Sequence, residues 1–263
     1  MIKYYNYIIY VISLLLTKLF IYKKVRIYNL FIKLSFGNFK YSIYGVKLSN
    51  QNKNDNTYMY CMGGAYGNDY SDYLKFYKSN FIFLDIGSNI GLYSCIASKN
   101  KNCKYIYSFE PIKKLCNEIY KNFKLNDVRG KVLKFGISKK NGLHNIYFKP
   151  EHTGMSSLIK KKNKGFSKIL KCRFINSKGL NKIISKKTCD YLVKIDVEGL
   201  EKIVLKELLK TKFFKLINSL LIEINDFRDI EKISKILKKK NFYLFKDFKS
   251  NLTNDYLFIR NEN

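Results

Sequence analysis

Leu84-Asp85-Ile86-Gly87-Ser88-Asn89-Ile90-Gly91 lies where a short apolar run, residues 81–85, gives way to a segment with helical spacing after Gly91. Glycine at such a junction lets the backbone turn tightly and lets a ligand approach without meeting a Cβ. Outward from it the chain alternates between apolar runs of strand length and amphipathic segments of helix length. Residues 105–109 read as the next strand and 112–123 as the next helix. Residues 132–137, 191–195 and 220–224 read as further strands, with helices at 200–209 and 229–240 after the last two. Strand, helix, strand, helix in this order requires right-handed crossovers, so the expected fold is α/β, a mostly parallel sheet with helices on both faces. Residues 242–245 and 256–259 read as a closing antiparallel hairpin. Ligands of such a sheet bind at the carboxyl ends of its strands, where the quoted stretch sits.

The chain has 263 residues, 46% of them hydrophobic, enough for one α/β domain with a proper core and one active site. A formal net charge of +30 raises the question of a polyanionic or membrane-surface partner. The charge is nearly all lysine, and the arginines are only Arg26, Arg129, Arg173, Arg228 and Arg260. Arginine is the better bidentate reader of phosphate. The excess of Lys, Asn, Ile, Tyr and Phe, with no Trp and two Pro, is what A/T-rich codons produce. The charge therefore reads as a solvated surface more than as a nucleic-acid face. Six cysteines without a CxxC spacing read as reduced thiols, which suits the cytoplasm.

Residues 4–22 are apolar but short for a spanning helix, which needs about 20 apolar residues. On a helix, Lys3, Asn6, Tyr10, Ser13, Thr17 and Lys24 form a narrow polar stripe, with Ile8, Ile12, Leu15 and Leu19 on the other side. The expected structure is an amphipathic helix packed on the domain, with attachment to a membrane surface as the alternative. Lys23, Lys24 and Arg26 follow it with no small-residue cleavage site, so it does not read as a signal peptide, and Gly37 is the expected stop. Asn251-Leu252-Thr253 matches a glycosylation sequon by pattern only. The organisation read from these features is a helical extension at 1–48, a connecting and cap segment at 49–80, and the main domain at 81–263.

A dinucleotide fingerprint would place glycines at 87, 89 and 92, but 89 is Asn and 92 is Leu, and no Gly-Lys-Ser/Thr follows. That argues against NAD, FAD and P-loop nucleotides. S-adenosylmethionine carries no phosphate, so its loop must hold an amino-acid end and a ribose. Asp85, leading the turn, suits an ammonium. Glu110, nineteen residues beyond Gly91 at the end of the second strand, suits both ribose hydroxyls. Asn126, after the following helix, is a candidate for the adenine edge.

With these residues in view the sequence resembles the FkbM family of methyltransferases. The resemblance is carried by the 84–91 loop, Phe109-Glu110-Pro111, Gly136-Ile137-Ser138 followed by Asn141-Gly142, and Gly154-Met155-Ser156-Ser157-Leu158. It continues through Lys194-Ile195-Asp196-Val197-Glu198-Gly199-Leu200-Glu201, the most specific part, and Leu221-Ile222-Glu223-Ile224, and it covers residues 81–260. It implies a class I methyltransferase Rossmann-like fold with a seven-stranded sheet, S-adenosylmethionine as cofactor, and O-methylation of sugars or other secondary metabolites. The cofactor contacts expected are Asp85, Gly87, Ser88, Asn89, Gly91, Glu110, Pro111, Asn126 and Ser138. Ser88 departs from the alanine more usual in the family, a small change.

Methyl transfer to a hydroxyl needs alignment and removal of a proton. Asp196 ends the 191–195 strand, before the next helix, and is the first candidate for that chemistry, although capping the helix would also explain it. Glu198 and Glu223 are the other candidate catalytic carboxylates. Glu201 is accounted for by the helix dipole, and Lys194 is ambiguous. No metal is expected, because no His accompanies the carboxylates and their spacing is not distinctive. His144 and His152 flank an expected hairpin and loop over the site and read as solvated loop residues. An RNA or cap methyltransferase and an inactive methyltransferase fold serving as a binding protein are the rival readings.

Overall fold

The computed structural model describes residues 2–19, 24–50, 54–66, 68–159, 168–184, 189–249 and 254–261. Helices α1 (Ile2–Leu19) and α2 (Lys24–Ile32) pack as a pair, followed by an antiparallel hairpin of β1 (Phe39–Tyr41) and β2 (Lys47–Ser49). Helix α2 ends at Ile32, five residues before Gly37, which has φ +91°. Helices α3 (Asn56–Gly63) and α4 (Asn68–Phe76) lead to the central strand β3 (Phe81–Ile86). The chain then runs α5 (Leu92–Ala97), β4 (Cys103–Phe109), α6 (Lys113–Leu125), β5 (Gly130–Leu133), β6 (Gly136–Ile137), β7 (Gly142–Phe148), β8 (Lys168–Ile175) and α7 (Ser177–Ile183). It closes with β9 (Asp190–Ile195), α8 (Glu201–Leu208), β10 (Ile217–Glu223), α9 (Phe227–Lys238), β11 (Phe242–Lys249) and β12 (Asn254–Arg260).

The main sheet has seven strands in the order β11-β12-β10-β9-β3-β4-β5. The pairs β3 with β4, β3 with β9, β4 with β5 and β9 with β10 are parallel, and β12 runs antiparallel to both β10 and β11. This is the mostly parallel sheet that the alternation implied, in the class I methyltransferase Rossmann-like arrangement that the resemblance implied. Strand side chains alternate between the two faces. Phe81, Phe83, Ile106, Leu192 and Leu221 join a core with α2 to α6, while Ile82, Leu84, Ile86, Val193 and Leu220 join another with α7 to α9. The chain order of the strands reverses between β3 and β9, which opens a crevice at their carboxyl ends.

Two expectations need correction. The run at 132–137 is two strands: β5 closes the main sheet, a turn follows in which the Phe135 N–H donates to the Leu133 carbonyl at 2.8 Å, and β6 enters a second sheet, β6-β8-β7. Gly136 permits that switch, since a Cβ there would lie 2.0 Å from the Phe174 ring. The first eighty residues are also no appendage. The β1–β2 hairpin runs across residue 48, and Tyr28, Val46, Leu48, Tyr58 and Leu74 belong to the same core as Phe83 and Leu192.

Helix α1 packs on the domain, and it does so by its polar side. Its polar stripe faces inward: Asn6, Ser13 and Thr17 are buried, whereas Ile8, Ile12 and Leu15 are exposed. Asn6 donates to the Phe36 carbonyl at 2.6 Å and accepts from the Phe36 N–H at 3.0 Å, and Tyr10 stacks on Tyr41 with centroids 5.2 Å apart. Ser13 and Thr17 donate back to carbonyls of their own helix, so even the hydroxyls on this face are satisfied. Lys23 and the 251–253 sequon lie outside the described residues.

Candidate active site

A cavity of about 380 Å³ occupies the crevice at the ends of β3, β4 and β9. The β3–α5 junction forms one wall. Gly87 has φ +81° and Gly91 φ +79°, and a Cβ on Gly87 would lie 1.7 Å from the Asp196 carbonyl oxygen, so only glycine fits there. The Gly87 and Ser88 N–H groups donate to the Phe109 carbonyl at 3.0 and 3.1 Å, joining this loop to the end of β4. The Ser88 hydroxyl turns back into the loop, donating to the Asp85 carbonyl at 2.7 Å.

Glu110 follows β4 and lines the cavity, although its side chain is buried. One carboxylate oxygen accepts from the Asn89 N–H at 3.0 Å and the other from the Ile112 N–H at 2.9 Å. Burial pushes its carboxyl up to about 8 in spite of these bonds. Each oxygen keeps further acceptor capacity. Pro111, Asn89 and Ile90 also line the wall, together with the apolar Ile112, Phe135 and Ile137.

The opposite wall carries the acidic residues. Asp196 follows β9, with its N–H donating to the Ile86 carbonyl at 3.0 Å. It does not cap α8, whose N-cap is Leu200 with no side-chain bond. Its Oδ2 instead accepts from Lys194 Nζ at 2.7 Å. That ammonium is buried, 4.8 Å from the Tyr93 ring centroid. Burial alone would lower the Lys194 pKa, but Asp196 and Asp85 outweigh it and raise it. Glu223, at the end of β10, is driven up to about 10, first by burial and then by Asp196 beside it. Glu198, in the left-handed region at φ +51°, and Asp255 on β12 complete this wall. Backbone strain of that kind concentrates at functional sites.

The roof comes from the N-terminal segment and from the turn after β7. Asp55 caps α3 by accepting from the Thr57 N–H at 3.0 Å, and it also accepts from the Thr153 N–H at 3.1 Å and the Thr153 hydroxyl at 2.6 Å. Thr57 Oγ1 accepts from the Gly154 N–H at 2.9 Å and lies 3.1 Å from His152 Nδ1. Asn89 Nδ2 donates to Thr153 Oγ1 at 3.1 Å, so the roof is fastened to the glycine loop. His152 lines the cavity, and burial lowers its pKa. His144 does not line it; its ring bonds to the Lys140 carbonyl at 3.1 Å and packs on Phe174.

Most of the sequence-selected residues therefore meet at one cavity: Gly87, Ser88, Asn89, Glu110, Pro111, Asp196, Glu198 and Glu223 all line it. Gly91 shapes the loop from behind, where a Cβ would press on Ile119 at 3.1 Å. Three selected residues are placed elsewhere. Asp85 is turned into the core, accepting from the Ser94 hydroxyl at 2.6 Å and from the Ser94 N–H at 3.2 Å, while its other oxygen has no hydrogen bond. Asn126 binds the backbone of β2, accepting from the Lys47 N–H at 2.9 Å and donating to the Lys47 carbonyl at 2.7 Å. Ser138 sits past the cavity with its N–H on the Ile175 carbonyl at 2.9 Å; Phe135, Gly136 and Ile137 are the members of that stretch on the wall. Sequence reasoning missed Asp55, Thr57 and Asp255. Only Asp55 left a local signal, an acidic residue at a helix start.

The FkbM methyltransferase domain matches residues 85–250, which is 166 of the 263 residues. No curated protein matches the sequence. Among solved structures, a ribosomal protein L11 methylase from Lactobacillus delbrueckii subsp. bulgaricus is similar at 12% identity, covering 79% of each chain, with a TM-score of 0.44. M. jannaschii TYW2 in complex with AdoMet is similar at 14% identity over 86% of this chain and 89% of that one, TM-score 0.42. A precorrin-6y methyltransferase from Geobacter metallireducens GS-15 is similar at 11% identity over 73% and 86%, TM-score 0.44. The donor set fits S-adenosylmethionine: a buried carboxyl at the cavity wall for a vicinal diol, an apolar strip at Ile112, Phe135 and Ile137 for a base, and an acidic wall for a cation. With the matched domain spanning the glycine loop, Glu110 and the Asp196 segment, the chain belongs to the FkbM family of S-adenosylmethionine-dependent methyltransferases.

Proposed function

We propose that this enzyme methylates a hydroxyl of a neutral, polyhydroxylated acceptor, a sugar, glycan or similar small molecule, in the cytoplasm. One observation carries the reading: the acceptor side of the cavity is lined by Asp196, Glu198, Glu223 and Asp255, while the one Lys or Arg on its described walls, Lys194, is already bonded to Asp196. A phosphodiester entering there would find no free cation on these described walls to offset its charge. Sugar hydroxyls, in contrast, are donors to carboxylates. The chain's large positive charge lies outside this cavity, which weighs against an RNA acceptor in spite of the overall balance.

Bound S-adenosylmethionine supplies an electrophilic methyl group on a sulfonium sulfur. Glu110 is the acceptor for its ribose hydroxyls, with Pro111 and the 87–91 loop shaping the same wall. Asp85 braces that loop from the core, and Asn126 braces the β2 contact. Asp196 takes the proton from the acceptor hydroxyl; Lys194 fixes the carboxylate's position. Burial and the neighbouring Asp196 favour the neutral form of the Glu223 carboxyl, which can donate a hydrogen bond within the cavity. His152, held by Thr57, closes the roof.

The test is a transfer assay with methyl-labelled S-adenosylmethionine against neutral glycans and polyols in one set and oligoribonucleotides in another. Label on a hydroxyl of a neutral acceptor, lost in Asp196→Asn, supports the reading. Label entering only RNA overturns it.

A further inference from the structure

Helix α1 is anchored by its polar side and presents its apolar side to solvent. Tyr4, Tyr7, Ile8, Val11, Ile12 and Leu15 are all exposed, Tyr4 at 80% and Leu15 at 57%. Their spacing of three and four residues places them on one arc, opposite buried Asn6, Ser13 and Thr17. Phe36, 63% exposed with its ring 5.6 Å from that of Tyr5, extends the arc across the α1–α2 pair. A contiguous apolar face of this kind marks a contact surface.

The first 54 residues say what covers it. They contain nine Lys or Arg and no Asp or Glu, the first acidic residue being Asp55. Arg26, on α2, and Lys33, just after it, are exposed, and α2 packs against α1. A second copy would bring the same nine positive charges against these, whereas anionic headgroups would complement them. Tyrosines on an otherwise aliphatic face suit the headgroup level, where an apolar ring and a polar hydroxyl are both accommodated. No described helix is long and apolar enough to cross a membrane. We propose that the outward face of α1 seats this enzyme in the plane of a bilayer surface rich in anionic lipid, with Arg26 and Lys33 in contact with headgroups.

The chain has no tryptophan, so Leu15→Trp gives a single emission signal from the centre of the face. The full-length Leu15→Trp protein is titrated with vesicles of phosphatidylcholine and phosphatidylglycerol and with vesicles of phosphatidylcholine alone. The proposal predicts a blue shift and quenching by brominated acyl chains on the anionic vesicles, and weaker binding to the neutral ones. Ile8→Ser, Ile12→Ser and Leu15→Ser combined should lower co-sedimentation with anionic vesicles by at least about tenfold, with S-adenosylmethionine binding unchanged as the check on folding. Binding without a spectral shift, undiminished in the triple variant, would reduce the contact to charge adsorption and overturn the proposal. So would a dimer in light scattering that the triple variant disperses while vesicles bind neither form, since the face would then belong to a second copy.

Discussion

Replacing Asp196 with Asn separates what this side chain does for the fold from what it does for the reaction. Lys194 is 4% exposed and its ammonium lies 2.7 Å from Asp196 Oδ2, while Asp196 itself is 32% exposed. Removing one partner of a fully buried ion pair costs about 3–5 kcal/mol. Two features lower that figure here. Asp196 keeps part of its surface in solvent, which screens the pair, and Asp85 stays near the same ammonium with an oxygen that has no hydrogen bond. The expected loss is therefore about 1–3 kcal/mol. At roughly 2–4 °C per kcal/mol for a chain of this size, the melting temperature falls by several degrees and the protein stays folded at 25 °C. The kinetic loss is larger, since a positioned general base contributes about 10²–10⁴-fold. Calorimetric titration with S-adenosylmethionine, thermal melting and turnover on the identified acceptor then give three separate readings. The account expects cofactor affinity within a few-fold of wild type and kcat lower by about two orders of magnitude or more. Turnover close to wild type with intact cofactor binding would refute the role of Asp196 as proton acceptor.

Glu110 makes cofactor binding pH-dependent: its carboxyl is held up to about 8, and a carboxyl that accepts ribose hydroxyls as well as two amide N–H groups must be ionised. Affinity should rise about tenfold per pH unit up to that value and level off above it, with one proton released on binding; a flat profile from pH 6 to 9 refutes it. The same raised value means that Glu110 stabilises the cofactor-free fold fully below its ordinary pKa of 4.5, a contribution lost as pH rises through about 8, so the melting temperature without cofactor should fall across that window. Gly87→Ala must push a Cβ into the Asp196 carbonyl, 1.7 Å away, at a positive φ, and should weaken cofactor binding by more than about tenfold. Normal affinity in that variant would show that the loop relaxes without consequence. Asn126→Ala removes the two bonds to Lys47 and one to the Asn122 carbonyl and should cost about 1–3 kcal/mol in denaturant unfolding while leaving cofactor affinity intact. Loss of affinity at unchanged stability would return Asn126 to the adenine edge.

The sheet and the glycine-loop wall of the site were legible because their signals are local. Buried parallel strands are apolar on both faces, as in Phe81–Ile86, and the glycines at 87 and 91 declare the turn that follows. Glu110 was found by its distance from that turn. What was hidden depends on contacts between distant segments. Asn126 looks like any helix-terminal amide until β2 is brought against it, 79 residues away in sequence. Asp55 and Thr57 belong to the cavity's roof only because the turn at 153–155 folds down onto α3. The side of α1 that packs was hidden for a different reason. Periodicity shows that a helix has two faces, but the side that packs is set by its partners, here the Phe36 backbone and the Tyr41 ring. The break after Leu133 was invisible in hydropathy, because residues 132–137 stay apolar while the backbone passes from one sheet to the other.

The most direct measurement is a calorimetric titration of the purified full-length protein with S-adenosylmethionine and, separately, with NAD, repeated on Glu110→Ala after thermal melting confirms that the variant is folded. The account predicts saturable binding of S-adenosylmethionine by the wild type, no binding of NAD, and loss of binding in the variant. A folded variant that binds S-adenosylmethionine as well as the wild type, or a wild type that does not bind it, would contradict the assignment of this cavity as the cofactor site.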